Sequence, residues 1–171
     1  MAEAQTEEVA GMRCHAIQTH SGFENRAKAS LVERIRAARG AIDSADTGVL
    51  LTGRSEGFIV GRPNLAETIR RLTAYADAGA DCLYAPGIRD SRDIVAVVEA
   101  VAPKPVNVLV TGDIATVADL AAAGVRRISV GGALARAAWT GFLEAAREIA
   151  ERGTFAGLAR AMPSSELSRW L

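Results

Sequence analysis

A charged pair follows a short apolar run in the sequence Val49-Leu50-Leu51-Thr52-Gly53-Arg54-Ser55-Glu56. The run predicts a buried strand over residues 49–53. A guanidinium at a strand end can bind a carboxylate or phosphonate through two parallel hydrogen bonds, a geometry that lysine lacks. Arg54 is therefore the strongest candidate for a substrate-binding residue, and Glu56 is a possible second one. A purely structural ion pair of Arg54 with Glu56 or Asp113 is the alternative interpretation.

Two further stretches carry groups suited to ligand binding. Asn107 lies late in a predicted strand, where its amide could bond a ligand or cap the neighbouring loop. Gly131 and Gly132 precede a long helical pattern, where backbone amides and the helix dipole favour an anion. The same glycines could serve only a tight turn. We predict that Asn107, Gly131 and Gly132 bind substrate together with Arg54, and the sequence identifies no catalytic residue.

The composition limits the other kinds of site and partner. Cys14, His15 and His20 lie close together but lack zinc-ligand spacing, and Cys82 is remote, so we predict no metal site. Equal numbers of basic and acidic residues, 20 of each, argue against a nucleic acid partner. The sequence has no apolar run of about 18 residues and no basic, apolar signal segment. We therefore expect a cytoplasmic protein without a membrane partner.

Strands and helices alternate along most of the chain. Short strands are predicted near residues 49, 82, 106 and 128. Each is followed by a helical pattern after a turn of a few residues, which indicates an α/β fold with four βα units and a parallel sheet. Four units make half of a (β/α)₈ barrel, and C-terminal helices follow them. We predict a poorly ordered leader over residues 1–29 and one half-barrel domain over residues 30–171.

Several helix boundaries can be predicted from capping residues. Ser30, Asn64 and Ser91 are the expected N-caps of the first three helices. The long helix is predicted over residues 133–151. Its expected core stripe has helical spacing and consists of Leu134, Ala138, Phe142, Ala145 and Ile149.

Three stretches together resemble the isocitrate lyase and phosphoenolpyruvate mutase family. They read TGRSEGFIVGRPNLAETIRRLTAYADAGADCLYAPGI, KPVNVLV and LAAAGVRRISVGGALARAAWTGFLEAAREIAERGTF. The resemblance covers about residues 31–171 and depends on the order of the motifs. It implies a (β/α)₈ barrel that makes or breaks C–C or P–C bonds in small α-keto or α-hydroxy carboxylates. It also implies a magnesium ion and assembly through exchange of the last helix.

By this resemblance the chain holds strands five to eight of the barrel, and Arg54 is the residue that binds the substrate's carboxylate or phosphonate. Asn107 falls on the seventh strand, where relatives often place a polar substrate contact. The lyases of the family carry a glutamate where this chain reads Ala85-Pro86-Gly87, so a methylisocitrate-type lyase is not expected.

The family's metal-binding aspartates belong to the first four βα units, to which nothing in residues 1–29 corresponds. Two hypotheses follow: an enzyme that acts on a small carboxylate, or a truncated, non-catalytic half-barrel. An open sheet has two edges, whereas a closed barrel has none. We therefore expect the isolated chain to self-associate through a sheet edge, such as residues 49–51, or through its last helix.

Overall fold

The computed structural model describes residues 24–170. These divide into two compact units, one ending at Ser129 and the other running from Val130. The leader predicted over residues 1–29 lies mostly outside the described residues, as do Cys14, His15 and His20. The first helix begins at Glu24, before the predicted start of the domain at residue 30.

The first unit contains four strands and four helices among its described residues. In chain order they are α1 (Glu24–Ala45), β1 (Thr52–Arg54), α2 (Leu65–Asp77), β2 (Cys82–Tyr84), α3 (Ser91–Val101), β3 (Val106–Leu109), α4 (Val117–Ala122) and β4 (Arg127–Ser129). All neighbouring strands are parallel, and their order in the sheet is their order in the chain. A doubly wound sheet would reverse that order, so the predicted barrel-type succession of βα units is confirmed.

The register of the strands sorts their side chains onto two faces of the sheet. Residues directly opposite one another share a face, and successive residues alternate between faces. One face packs against helices and carries small or apolar residues: Gly53, Leu83, Val106, Val108 and Ile128. The opposite face, here called the polar face, carries Thr52, Arg54, Cys82, Tyr84, Asn107, Leu109, Arg127 and Ser129.

The core lies between the helix-facing side of the sheet and helices α2 and α3. Leu72 of α2, Val97 of α3 and the strand residues Leu83 and Val108 are all almost completely buried. Burial of each such side chain contributes about 1.5–3 kcal/mol. Leu72 and Tyr75 lie on the buried side of α2, together with Thr68.

The first strand begins later than the sequence predicted. Residues 49–51 precede the strand: the Leu51 carbonyl accepts a 3.2 Å hydrogen bond from the Cys82 amide, but the Leu51 amide donates to the Asp81 carboxylate at 2.7 Å instead of to the sheet. Arg39 of α1 binds the same carboxylate at 2.8 Å. The strand therefore covers Thr52–Arg54, with Arg54 as its last residue rather than the residue after it. The sheet edge that we expected at residues 49–51 is wrong for the same reason.

Two of the three predicted helix caps are wrong. Ser30 lies inside α1, since that helix begins at Glu24. Ser91 is the first residue of α3, and Asp90 caps the helix by accepting a 2.8 Å hydrogen bond from the Arg92 amide. A carboxylate one residue earlier thus takes the capping position. The Asn64 cap of α2 is confirmed by a 2.9 Å bond from the Glu67 amide.

The second unit contains α5 (Ala133–Arg152), a 3₁₀ helix (Ala156–Arg160) and α6 (Ser164–Leu167). The predicted core stripe of α5 is wrong as a buried surface: Leu134 is 72% and Phe142 60% exposed. Within this unit the 3₁₀ helix packs against α5, and it does not bury these side chains.

The buried carboxylate of Glu148 links α5 to the start of the 3₁₀ helix. The Glu148 side chain of α5 accepts hydrogen bonds from the Thr154 hydroxyl at 2.6 Å, the Ala156 amide at 2.8 Å and the Gly157 amide at 2.7 Å. It therefore caps the start of the 3₁₀ helix. The Thr154 hydrogen bond is the main cause that lowers the pKa of Glu148, and the two amides add to it.

None of the described helices combines the length and the apolar character that crossing a bilayer requires.

A side chain at position 53 should overpack the core. A Cβ there would lie 2.8 Å from the Tyr75 Cβ and 3.2 Å from the Ala80 Cβ. We expect Gly53→Ala to lower the free energy of unfolding by about 1–3 kcal/mol. The matched control is Gly40→Ala in α1, where nothing lies within 4 Å, and there we expect a gain of about 0.5–1 kcal/mol. Chemical denaturation of both variants measures the difference, and equal effects would contradict the packing described here.

The Glu148 carboxylate should make stability depend on pH. Because its pKa is lowered in the folded state, its contribution is present above the ordinary glutamate pKa of about 4.3 and is lost as the pH falls through the folded pKa. We expect Glu148→Gln to lower the melting temperature at pH 7, with a smaller difference at pH 3. Glu144→Gln, which alters only an exposed 3.9 Å pair with Arg160, is the control. A pH-independent difference for Glu148→Gln would contradict the assignment.

Candidate functional site

Arg54 ends strand β1 at the carboxyl edge of the parallel sheet. In such sheets the loops after the strands form the face that binds ligands. In the described sheet β1 is an edge strand, because its neighbour on one side is β2 and no strand pairs with its other side. The Arg54 side chain is 32% exposed, which leaves it within reach of a ligand.

Two contacts hold the Arg54 guanidinium. Glu56 binds one edge of it: Nη2 donates to Oε2 at 3.2 Å, and Nε pairs with Oε1. The ring of Tyr84 lies against its face, with 5.1 Å between the guanidinium carbon and the ring centroid. Tyr84 is directly opposite Arg54 in the ladder, so the register itself brings the two side chains together. This distance is within the range of a cation–π interaction.

The ion pair foreseen as the alternative interpretation therefore exists, with Glu56 as the partner. It does not exclude binding, because a guanidinium has donors on more than one edge. Glu56 occupies the Nε edge and one Nη2 hydrogen. Nη1 and the outer Nη2 hydrogen form a second edge, which matches a carboxylate in the bidentate geometry.

The loop after β1 is a compact helical turn. The Glu56 carbonyl accepts hydrogen bonds from the Ile59 amide at 3.0 Å and the Val60 amide at 3.2 Å. The turn packs against Gly87 in the loop after β2, where a Cβ would lie 2.9 Å from the Ile59 nitrogen. Gly87 also has a φ of +88°, which favours glycine. A side chain at position 87 would therefore collide with the turn after β1.

Asn107 lies on the polar face beside Tyr84. Its side chain is 1% exposed, and Nδ2 donates a 2.9 Å hydrogen bond to the Ser129 hydroxyl. None of the residues in the described part of the chain donates to the buried Oδ1. An unmet buried acceptor costs about 1–3 kcal/mol. The position on the predicted strand is confirmed, whereas substrate contact stays a prediction, and neighbouring side chains would have to move for a ligand to reach the amide.

The remaining sequence candidates are two glycines, and one cysteine lies on the same face as Arg54. Gly131 and Gly132 belong to the second unit, where Gly132 is the N-cap of α5. Cys82 is buried, and burial raises the pKa of its thiol. The raised pKa keeps the thiol protonated at neutral pH, which argues against a nucleophilic role.

A magnesium site needs several oxygen ligands held close together. Among residues 24–170 no group of three or more histidine, cysteine, aspartate or glutamate side chains is placed to hold an ion. Glu56, the carboxylate nearest Arg54, is already paired with it. These residues do not fit a magnesium site, so no reaction step is assigned to one.

Sequence reasoning missed Tyr84 and Ser129. Tyr84 follows buried residues in its strand, but it is only half-buried and stacks on Arg54. Ser129 orients the Asn107 amide. The signal for both was the strand register, since each lies on the face that also carries Arg54. A register cannot be counted reliably from sequence when a strand start is misplaced by three residues.

A family model described as phosphoenolpyruvate phosphomutase matches residues 12–150. The chain belongs to this family. A search among curated proteins finds no match. The family resemblance inferred from the sequence is therefore confirmed, and so is the assignment of the fold as part of a (β/α)₈ barrel.

Solved structures support the same family. A putative lyase/mutase from Burkholderia cenocepacia J2315 is 48% identical, with a TM-score of 0.78 over 84% of this chain and 52% of that one. A putative phosphonomutase from the same organism is 34% identical, with a TM-score of 0.62 over 72% and 50%. A 2,3-dimethylmalate lyase of the PEP mutase/isocitrate lyase superfamily is 25% identical, with a TM-score of 0.68 over 83% and 50%. The chain spans about half the length of these relatives.

Proposed function

We propose that this phosphomutase-family chain binds a small α-keto or α-hydroxy carboxylate and takes part in making or breaking a C–C or P–C bond. The observation that carries the proposal is the guanidinium of Arg54, which lies at the carboxyl edge of the sheet with one edge held by Glu56 and the other available. Relatives that include a dimethylmalate lyase and a putative phosphonomutase support the substrate class.

The roles of the site residues follow from their chemistry. Arg54 binds the carboxylate, and Glu56 holds Arg54. Asn107 supplies an amide, and Gly131 and Gly132 supply backbone amides at the start of α5. Mg²⁺ is the metal implied by the family and would stabilise negative charge on the substrate. Its ligands would have to come from outside the described residues. A cytoplasmic location and the lack of a nucleic acid partner stay predictions from composition.

A second candidate function is carboxylate binding without catalysis by a truncated half-barrel. The observation that favours it is that no group of side chains among residues 24–170 is placed to hold a metal ion. Incubation of the purified chain with oxaloacetate and Mg²⁺ tests both candidates. Consumption of oxaloacetate that requires Mg²⁺ supports the enzyme. Binding of oxaloacetate without turnover, and without Mg²⁺ binding by titration, supports the second candidate, and the lack of any binding contradicts both.

Arg54→Lys should weaken carboxylate binding far more than it alters stability. Lysine keeps the charge but loses the two-pronged geometry, at a cost of about 1.5–3 kcal/mol, typical of charged hydrogen bonds. Calorimetric titration with oxaloacetate measures the affinity, and thermal unfolding measures the stability. Equal affinities of the two proteins would refute the role of Arg54.

We also propose that the chain forms homo-oligomers. Strands β1 and β4 are the edges of the described sheet, and unpaired edges invite association. On α5 the Trp139 and Phe142 rings pack edge to face, 5.3 Å apart, and are 61% and 60% exposed. We expect sedimentation at micromolar concentration to show dimers or larger species, and a compact, stable monomer would contradict this.

A further inference from the structure

We propose that Glu56 and Tyr84 are positioning residues, which fix the Arg54 guanidinium so that it receives a single ligand carboxylate end-on, through Nη1 and Nη2. This inference rests on the proposed function and specifies how its anion site is built. Arginine then binds a carboxylate more tightly than lysine would only while Glu56 and Tyr84 hold the guanidinium in place. Neither Glu56 nor Tyr84 has to touch the ligand.

The Glu56 contact fixes the guanidinium in its own plane. The two contacts of Glu56 fall on Nε and Nη2, so the carboxylate lies beside the guanidinium rather than in front of it. A ligand carboxylate that approaches the end of the side chain then meets Nη1 and the outer hydrogen of Nη2. Two parallel hydrogen bonds can form there without displacing Glu56.

Tyr84 fixes the guanidinium against rotation out of that plane. The ring lies 5.1 Å from the guanidinium carbon and belongs to the adjacent strand at the same level of the ladder. The backbone of Tyr84 is fixed by the sheet ladder, so its ring has less conformational freedom to lose on binding than a side chain on a loop would have. The stack therefore supports one face of the guanidinium while the end of the side chain stays accessible.

The short spacing between Arg54 and Glu56 places Glu56 on a turn whose backbone is anchored. Glu56 lies two residues after Arg54, at the start of the helical turn whose amides bond its carbonyl. The turn packs on Gly87, so the backbone that carries Glu56 is anchored by the neighbouring loop. The 19% exposure of the Glu56 side chain fits a residue that contacts Arg54 while the ligand binds elsewhere on the guanidinium.

A positioning role can be separated from a simple effect of charge. Removing Glu56 deletes a negative charge, and this alone would strengthen the binding of any anion. A double-mutant cycle cancels that term, because arginine and lysine at position 54 carry the same charge. The informative quantity is the loss of oxalate affinity caused by R54K. It is measured once in the unchanged chain and again in chains that lack the Glu56 carboxylate or the Tyr84 ring. Oxalate is a suitable probe because it is planar and has no other functional group.

In the otherwise unchanged chain we expect R54K to weaken oxalate binding by about tenfold or more, as for a lost charged hydrogen bond. In the E56A background the same substitution should weaken it by only about twofold, because the arginine fork is no longer held in place. E56Q keeps one acceptor for the guanidinium, so in that background R54K should cause an intermediate loss of oxalate affinity. Y84F keeps the ring, so there R54K should cause the full loss, whereas in the Y84L background the loss should be smaller.

E99A in α3 is the control for the charge of Glu56, because Glu99 is exposed and lies on a helix rather than beside Arg54; it should preserve the full loss. Thermal unfolding identifies any variant that does not fold, and E56Q and Y84F then supply the test. An equal loss from R54K in all backgrounds would overturn the positioning role while leaving the proposed function in place. Failure of the unchanged chain to bind oxalate, or R54K binding it equally well, would overturn the proposed function itself.

Discussion

The parallel register of four short strands is the constraint on which the site depends. It sets Gly53, Leu83 and Val106 side by side on the face that packs against helices. The same register sets Arg54, Tyr84 and Asn107 side by side on the opposite face. Because side chains alternate along a strand, a slip of one residue would exchange the faces. Burial of the apolar face thus determines where the polar residues point.

Net stability alone does not explain the Arg54–Glu56 pair. The side chains are partly exposed, but the paired atoms Arg54 Nε and Glu56 Oε1 are buried, and the desolvation cost of a buried ion pair often offsets its Coulomb attraction. An ordinary apolar pair at this strand end could stabilise the sheet equally well. The pair does, however, fix a cation that keeps usable donors, and its local charge is balanced when no ligand is bound. A site of this kind is folded before its ligand arrives, which lowers the entropic cost of binding.

Much of the fold could be predicted from local patterns. The strands at residues 82, 106 and 128, the Asn64 cap and the long helix from Ala133 all follow from apolar runs, glycines and capping residues. The start of β1 could not, because it depends on the Asp81 carboxylate, thirty residues away, which takes the Leu51 amide out of the ladder. The prediction of the α3 cap was wrong because two adjacent polar residues, Asp90 and Ser91, are both good capping residues, and the sequence pattern alone does not decide between them.

The site residues also differ in whether local sequence is enough to predict them. Arg54 was predictable because a charge at a strand end is a local signal. Its partner Tyr84 was not, because a tyrosine after apolar residues looks like core until the register places it opposite Arg54. Exposure along the polar face then separates two kinds of polar residue. Arg54 is 32% exposed, whereas Asn107 is 1% exposed and bound to Ser129.

That difference determines what each residue can contribute. A buried amide with one unmet acceptor costs stability, and an apolar residue of similar shape would avoid the cost. The Arg54 side chain is partly exposed, so solvent reaches it while no ligand is bound. Under the proposed function, an anion that approaches from solvent would therefore meet Arg54 before Asn107. The amide deeper on the same face could act only after the side chains around it had moved, so the proposed binding would begin at Arg54.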